Sequence, residues 1–91
     1  MPTVHREGPY RFYFYSNENQ TGERPEPPHI HVDRDDDSAE FWIDPVQKEE
    51  KANYGFSRRE LRRILRIVQK NQAHLLGEWK KRFPDKPKQS P

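Results

Sequence analysis

The residues of this chain best suited to chemistry are His29 and His31, in the stretch Glu26-Pro27-Pro28-His29-Ile30-His31-Val32-Asp33. The two prolines fix an extended approach and remove two backbone donors, so the segment leading to His29 is not helical. His-Ile-His-Val then alternates with period two, which puts both imidazoles on one face of a strand and Ile30 and Val32 on the other. Imidazoles titrate near neutrality, so one can remove a proton while the other delivers one. Spaced about 6–7 Å apart along a strand, they suit metal-free ribose cleavage, with a scissile phosphate between them. In that scheme Arg11 or a helix arginine steadies the developing charge, Tyr13 or Tyr15 orients the nucleotide, and Tyr13 and Trp42 stack bases.

The same two histidines also support quieter readings. His-x-His on a strand can chelate a divalent ion, with Glu26, Asp33 or an acid of the Asp35-Asp36-Asp37 run completing the site. Acids in a short turn often serve only turn geometry, so the sequence defines no third ligand, and neither metal nor cofactor is assigned. An aromatic face is equally the composition of a protein interface, or of a plain amphipathic sheet.

The elements that must position these residues follow from pattern. Thr3 to Glu7 reads as a short edge strand ending at the Gly8-Pro9 turn, and Tyr10 to Tyr15 as an aromatic strand without a breaker. Residues 16–28 form a polar loop, and His29 to Asp33 is the next strand. After a turn at 34–38, Ala39 to Asp44 returns as a hairpin partner that Pro45 ends. Residues 46–56 read as charged and irregular. If Phe12, Phe14, Ile30, Val32, Phe41 and Ile43 face the interior, Arg11, Tyr13, Tyr15, His29, His31, Glu40, Trp42 and Asp44 share the other side.

Ser57-Arg58-Arg59-Glu60 is a capping box. Leu61, Ile64, Leu65, Val68, Leu75, Leu76, Trp79 and Phe83 then recur at helical spacing, with Gln72 the one polar interruption. A single helix over residues 57–83 would be about 40 Å long, against roughly 17–20 Å for a five-residue strand. It therefore breaks near Asn71 or Gly77, or its second half packs on a partner or a second copy, giving a homodimer through the C-terminal helix. Its outer face carries Arg59, Arg62, Arg63, Arg66, Lys70, Lys80 and Lys81. Like charges at i,i+4 weaken a helix, which a phosphate backbone, an acidic partner protein or the acidic half of a second copy would offset; the alternative is a plain solvated basic face.

Composition bounds the class. Ninety-one residues with 30% hydrophobic and 35% charged suit one domain with a thin core, to which eleven aromatic side chains contribute most. Cysteine is absent, which removes disulfides and thiolate metal sites. The net charge of +2 hides an acidic first half and a basic second half. No apolar run approaches the length of a membrane span, and Met1 to Glu7 lacks a signal-peptide core, so a cytoplasmic protein with no membrane partner is expected.

From Pro2 to Phe83 the chain resembles a small bacterial family, domain of unknown function family 4160. The likeness is carried by Pro2-Thr3-Val4, Tyr10-Arg11-Phe12-Tyr13-Phe14-Tyr15-Ser16, Pro27-Pro28-His29-Ile30-His31-Val32, Ala39-Glu40-Phe41-Trp42-Ile43-Asp44-Pro45, Asn53-Tyr54-Gly55-Phe56 and Glu60-Leu61, with Asn71, Leu75, Leu76, Trp79 and Phe83. The resemblance implies toxin–antitoxin organisation with a co-encoded small partner protein, and no established reaction. The expectation is one α+β domain over residues 1–83 and a disordered tail at 84–91. Three or four antiparallel strands carry a long helix on one face. The expected role is a toxin–antitoxin component acting on or binding RNA through His29, His31 and Arg11, with Tyr13, Tyr15, Trp42, Arg59, Arg62, Arg63, Arg66 and Lys70 holding the strand. The alternatives are a non-enzymatic module for the co-encoded protein and a divalent-metal protein.

Overall fold

Asp35 and Asp36 form a two-residue turn, and Asp35 takes φ 52 there, a left-handed conformation that aspartate tolerates. In the computed structural model, which describes residues 3–15 and 26–83, this turn joins β3 (His29–Arg34) to β4 (Asp37–Trp42). The remaining strands are β1 (Thr3–Glu7), β2 (Tyr10–Tyr13) and β5 (Ala52–Tyr54). All five pair antiparallel in the order β1-β2-β3-β4-β5. The architecture is α+β as expected, with one strand more than the three or four read from sequence.

The extra strand lies where the chain reads as irregular. β5 is only three residues long, and its sequence, Ala-Asn-Tyr, carries no alternating apolar signal. Backbone hydrogen bonding to β4 makes it a strand: Ser38 pairs with Tyr54 and Ala39 with Asn53, and Lys51 N–H donates to Glu40 O at 2.7 Å. β4 likewise starts two residues earlier than the pattern suggests. There Arg34 pairs with Asp37, and their side chains form an ion pair at 3.0 Å.

The interior face carries Phe12, Phe14, Ile30, Val32, Ala39, Phe41 and Ile43, all buried. Against it pack Leu61, Ile64, Ile67 and Val68 of α1 (Arg58–Lys70) and Leu75 and Trp79 of α2 (Gln72–Arg82). Parity therefore falls as the sequence dictates for every residue assigned to the core.

The helix breaks at Asn71, one of the two expected positions, while Gly77 sits inside α2. Asn71 Nδ2 donates to Ile67 O at 2.8 Å and to Glu7 Oε1 at 3.3 Å. Lys70 Nζ donates to Glu7 Oε2 at 2.6 Å. The break is thus tied to β1. The excess length that pointed to a second copy is absorbed within the chain, because α2 returns Leu75 and Trp79 to the same core. Gln72 interrupts the apolar stripe for a reason: its Nε2 donates to Ile43 O at 2.9 Å.

The capping box forms by half. Ser57 Oγ accepts from Glu60 N–H, but the Glu60 carboxylate turns to the sheet, where Tyr10 Oη donates to it at 3.0 Å and Arg34 forms an ion pair with it. The tail at 84–91 and loop positions 16–25 lie outside the described residues. Among the described residues no helix is long and apolar enough to cross a membrane.

These contacts lead to two measurable expectations. Gly55 has φ +114, and a Cβ there would lie 2.2 Å from Asp37 Oδ1. Gly55→Ala is expected to destabilise the domain by about 2 kcal/mol or more, measured by chemical denaturation, with partial recovery when Asp37→Ala relieves the steric part. Lys70, and then His5, hold the Glu7 carboxyl down at about 2, from a usual 4.5. A depressed folded-state value means the stabilisation is full above pH 4.5 and is lost as pH falls towards 2. Glu7→Gln should therefore be less stable than the parent at about pH 6, and the difference should vanish in acid.

Candidate functional site

The face opposite the helices gathers the polar aromatic residues. Register puts Tyr13 beside His31 and His31 beside Glu40 in one row, with His29 beside Trp42 in another. Tyr13 stacks on His31 with ring centroids 5.4 Å apart and planes 22° apart. Tyr15 approaches the same imidazole at 4.1 Å, and the two imidazoles are 5.3 Å apart. His29 lies between Trp42 at 5.9 Å and Trp79 at 5.3 Å.

Trp79 modifies the simple picture of two separate faces. It belongs to α2 and to the core, yet at the strand ends it meets both Phe14 and His29. His29 is therefore not turned wholly away from the helices. Both imidazoles are buried, His29 being 2% and His31 5% exposed. Tyr15, 43% exposed, forms the open edge of the cluster.

The Pro-Pro segment sets the orientation of His29. Pro28 O accepts from Ile43 N–H at 3.1 Å, which ties this stretch to the end of β4. Pro27 O lies 3.0 Å from His29 Nδ1. A carbonyl can only accept, so Nδ1 carries the proton and Nε2 is the basic nitrogen of the neutral ring.

The donors of His29, His31 and Glu40 all lie within 4.8 Å of one another, and among the described residues no other cluster of three such side chains could hold a metal ion. Of the acids that the sequence offers as ligands, Asp33, Asp37 and Glu26 are engaged by other side chains. Asp33 Oδ1 accepts from Tyr13 Oη at 2.9 Å, and its Oδ2 faces Arg11 at 3.8 Å. Asp37 holds Arg34, Glu26 lies 3.2 Å from Lys51 Nζ, and Asp35 and Asp36 are exposed in the turn.

Glu40 is absent from the ligands expected from sequence, although the signal for it is there. A two-residue turn at Asp35-Asp36 pairs Arg34 with Asp37, and counting back along the ladder sets His31 opposite Glu40. Lys51 gives no such signal, because its position depends on β5. Its Nζ bonds Glu40 Oε1 at 3.1 Å and sits 5.5 Å from the centre of the Trp42 ring. Desolvation pulls the Lys51 ammonium down, but Glu40 and Glu26 outweigh it and raise its pKa.

Arg11 is placed differently from its expected role at a phosphate between the histidines. Its Nε donates to Thr3 Oγ1 at 2.7 Å, and its guanidinium lies 4.6 Å from the centre of the Tyr13 ring, on the Asp33 side. The cations of α1 are further removed. Arg59, Arg62, Arg63, Arg66 and Lys70 lie on the outer surface of a helix whose inner face packs on the other side of the sheet. The structure therefore brings together His29, His31, Tyr13, Tyr15 and Trp42, and separates them from the helix arginines by the thickness of the domain.

Two of those arginines, Arg63 and Arg66, edge a second feature, a cleft of about 370 Å³ between the β1–β2 turn and α1. It is lined by Gly8, Pro9, Tyr10, Arg63, Arg66 and Lys70, among others. Ion pairs occupy most nearby cations: Lys70 with Glu7, Arg58 with Glu50, and Arg34 with Glu60 and Asp37. Arg59, Arg62, Arg63 and Arg66 have no acidic partner among the described residues.

The family model described as domain of unknown function (DUF4160) matches residues 10–80. The chain belongs to this family. No curated protein and no solved structure matches it significantly.

Burial, and then the hydrogen bond to Asp33, push the Tyr13 phenol far above its ordinary value of 10.0. In an ultraviolet titration, Tyr13→Phe should leave the phenolate step near pH 10 undiminished, since Tyr13 does not ionise there. The same variant should lose about 1.5–3 kcal/mol of stability, the worth of a hydrogen bond to a charged acceptor.

Proposed function

We propose that this DUF4160 protein is the RNA-contacting component of a toxin–antitoxin pair, and that it binds the phosphate backbone along the outer face of α1. One observation carries the reading: four arginines of one helix face stand without acidic partners in a domain that pairs most of its other described cations. Arg59 with Arg62 and Arg63, and Arg66 with Arg62 and Arg63, are like-charge neighbours at i,i+3 or i,i+4. Each such pair costs a helix about 0.2–0.5 kcal/mol. A phosphate backbone removes that repulsion and adds counterion release. The cleft at the helix flank, with Arg63 and Arg66 on its rim beside the Glu7–Lys70 ion pair, adjoins this face.

In this reading α1 binds, and the imidazole pair plays no part in holding RNA. A strand lying on α1 does not pass the buried His29 and His31, so binding and any cleavage are separate properties of opposite faces. The co-encoded small protein is the natural regulator of such a surface, since an acidic segment laid on α1 competes directly with RNA.

The test is binding of a labelled single-stranded RNA by the untagged protein over a salt series, for the parent and for the triple variant Arg59→Glu, Arg62→Glu, Arg66→Glu. The variant should bind at least about tenfold more weakly. Its salt slope should be shallower by about 2, since each phosphate that is no longer neutralised takes roughly 0.7 from the slope. Equal affinity and slope would remove α1 as the binding surface. Capture of the co-encoded protein that survives nuclease, with no RNA affinity at low salt, would favour the protein-interaction module instead.

A further inference from the structure

We propose that His29, His31 and Glu40 form a binding site for a divalent transition metal of the zinc class, with three protein ligands and one position left to solvent or a ligand. This is independent of RNA binding, since it uses the other face of the sheet. The donor types decide the ion. Two imidazoles and one carboxylate suit zinc and its borderline neighbours, whereas magnesium and calcium take oxygen sets.

Three further observations separate this group from a chance meeting of side chains. The three residues come from adjacent strands in continuous register, His31 directly opposite Glu40 and His29 two residues along the same strand. Their positions therefore follow from the sheet ladder and not from a mobile loop. His29 also has the hydrogen bond that metal-bound imidazoles characteristically show, Nδ1 to a backbone carbonyl, here Pro27 O at 3.0 Å. That bond fixes the tautomer and turns Nε2 into the ligand. Finally, aromatic rings wall the imidazoles on several sides: Tyr13 and Tyr15 on His31, Trp42 and Trp79 on His29. An apolar shell of this kind limits water access and strengthens coordination.

A tetrahedral ion about 2.0–2.1 Å from each donor holds its ligand atoms roughly 3.3 Å apart. The donors here lie within 4.8 Å of one another, so they must close further around the ion. Glu40 supplies the movement. Its partly buried carboxylate is held by Lys51 Nζ at 3.1 Å, and Lys51 also reaches Glu26 at 3.2 Å. The carboxylate can exchange the ammonium for the metal while Lys51 keeps Glu26, so no buried charge is left without a counter-ion. Metal and Lys51 are thus competitors for the same oxygen.

The experiment is titration of the untagged, chelator-treated protein with Zn²⁺ by calorimetry and with Co²⁺ by visible absorption. The expected result is one ion per chain, with the d–d bands of a nitrogen–oxygen site and a Zn²⁺-dependent rise in melting temperature. Because His29 and His31 are buried, alanine variants there risk misfolding. Glu40→Gln is therefore the decisive variant: it keeps the shape, and affinity should fall at least about tenfold with an unchanged far-ultraviolet circular dichroism spectrum. Asp36→Asn, in the exposed turn, should bind like the parent. Absence of stoichiometric binding would overturn the site, as would equal affinity of the parent and Glu40→Gln, or equal weakening by Asp36→Asn.

Discussion

The register of β3 against β4 is the constraint on which the rest of the domain depends. With Asp35 and Asp36 in the turn, Ile30 and Val32 fall beneath the helices and His29 and His31 fall on the opposite side. A slip by one residue would exchange every side chain across the sheet and bury both imidazoles in the aliphatic core. Several interactions hold the register where the turn alone would not. Arg34 bonds Asp37 across the hairpin and Glu60 at the start of α1, and Tyr10 also donates to Glu60. The same Glu60 that could have closed a capping box instead locks the helix onto the sheet.

With that register in place, the domain divides into two surfaces of different character. One is a cluster of imidazole, phenol and indole rings beside the Glu40 carboxylate, with both imidazoles buried. The other is an open cationic helix face with no acid set against its arginines among the described residues. A protein that used one continuous surface for catalysis and for holding RNA would bring these together. Here the sheet and its core lie between them. The two proposed roles, polyanion binding on α1 and ion binding at the imidazoles, therefore use separate surfaces and are testable one without the other.

Much of this is legible in the residues because burial imposes a strict parity on strands. Phe12, Phe14, Ile30, Val32, Phe41 and Ile43 all lie in the core as alternation requires. The helix break narrows to Asn71 or Gly77 because a straight helix outruns its sheet. What escapes are features created by non-local pairing. β5 has no sequence pattern of its own and exists because β4 offers it an open edge. The role of Glu60 depends on Tyr10 and Arg34, which are distant in sequence. Charge alone sends Arg11 to a phosphate, whereas Thr3, Tyr13 and Asp33 decide where its guanidinium lies. Trp79 reads only as a core residue, yet it also closes over His29, because at the strand ends α2 reaches past the edge of the interior.

The most direct test of this arrangement is the set of cross-strand contacts between β3 and β4 in solution, read from nuclear Overhauser effects between backbone protons of a uniformly labelled sample. Contacts of His31 with Glu40 and of His29 with Trp42 are predicted, together with ring contacts from Tyr13 to His31. Contacts placing His31 opposite Ala39 or Phe41 would contradict it, since the imidazoles would then leave both the carboxylate and the aromatic rings around which the site is built.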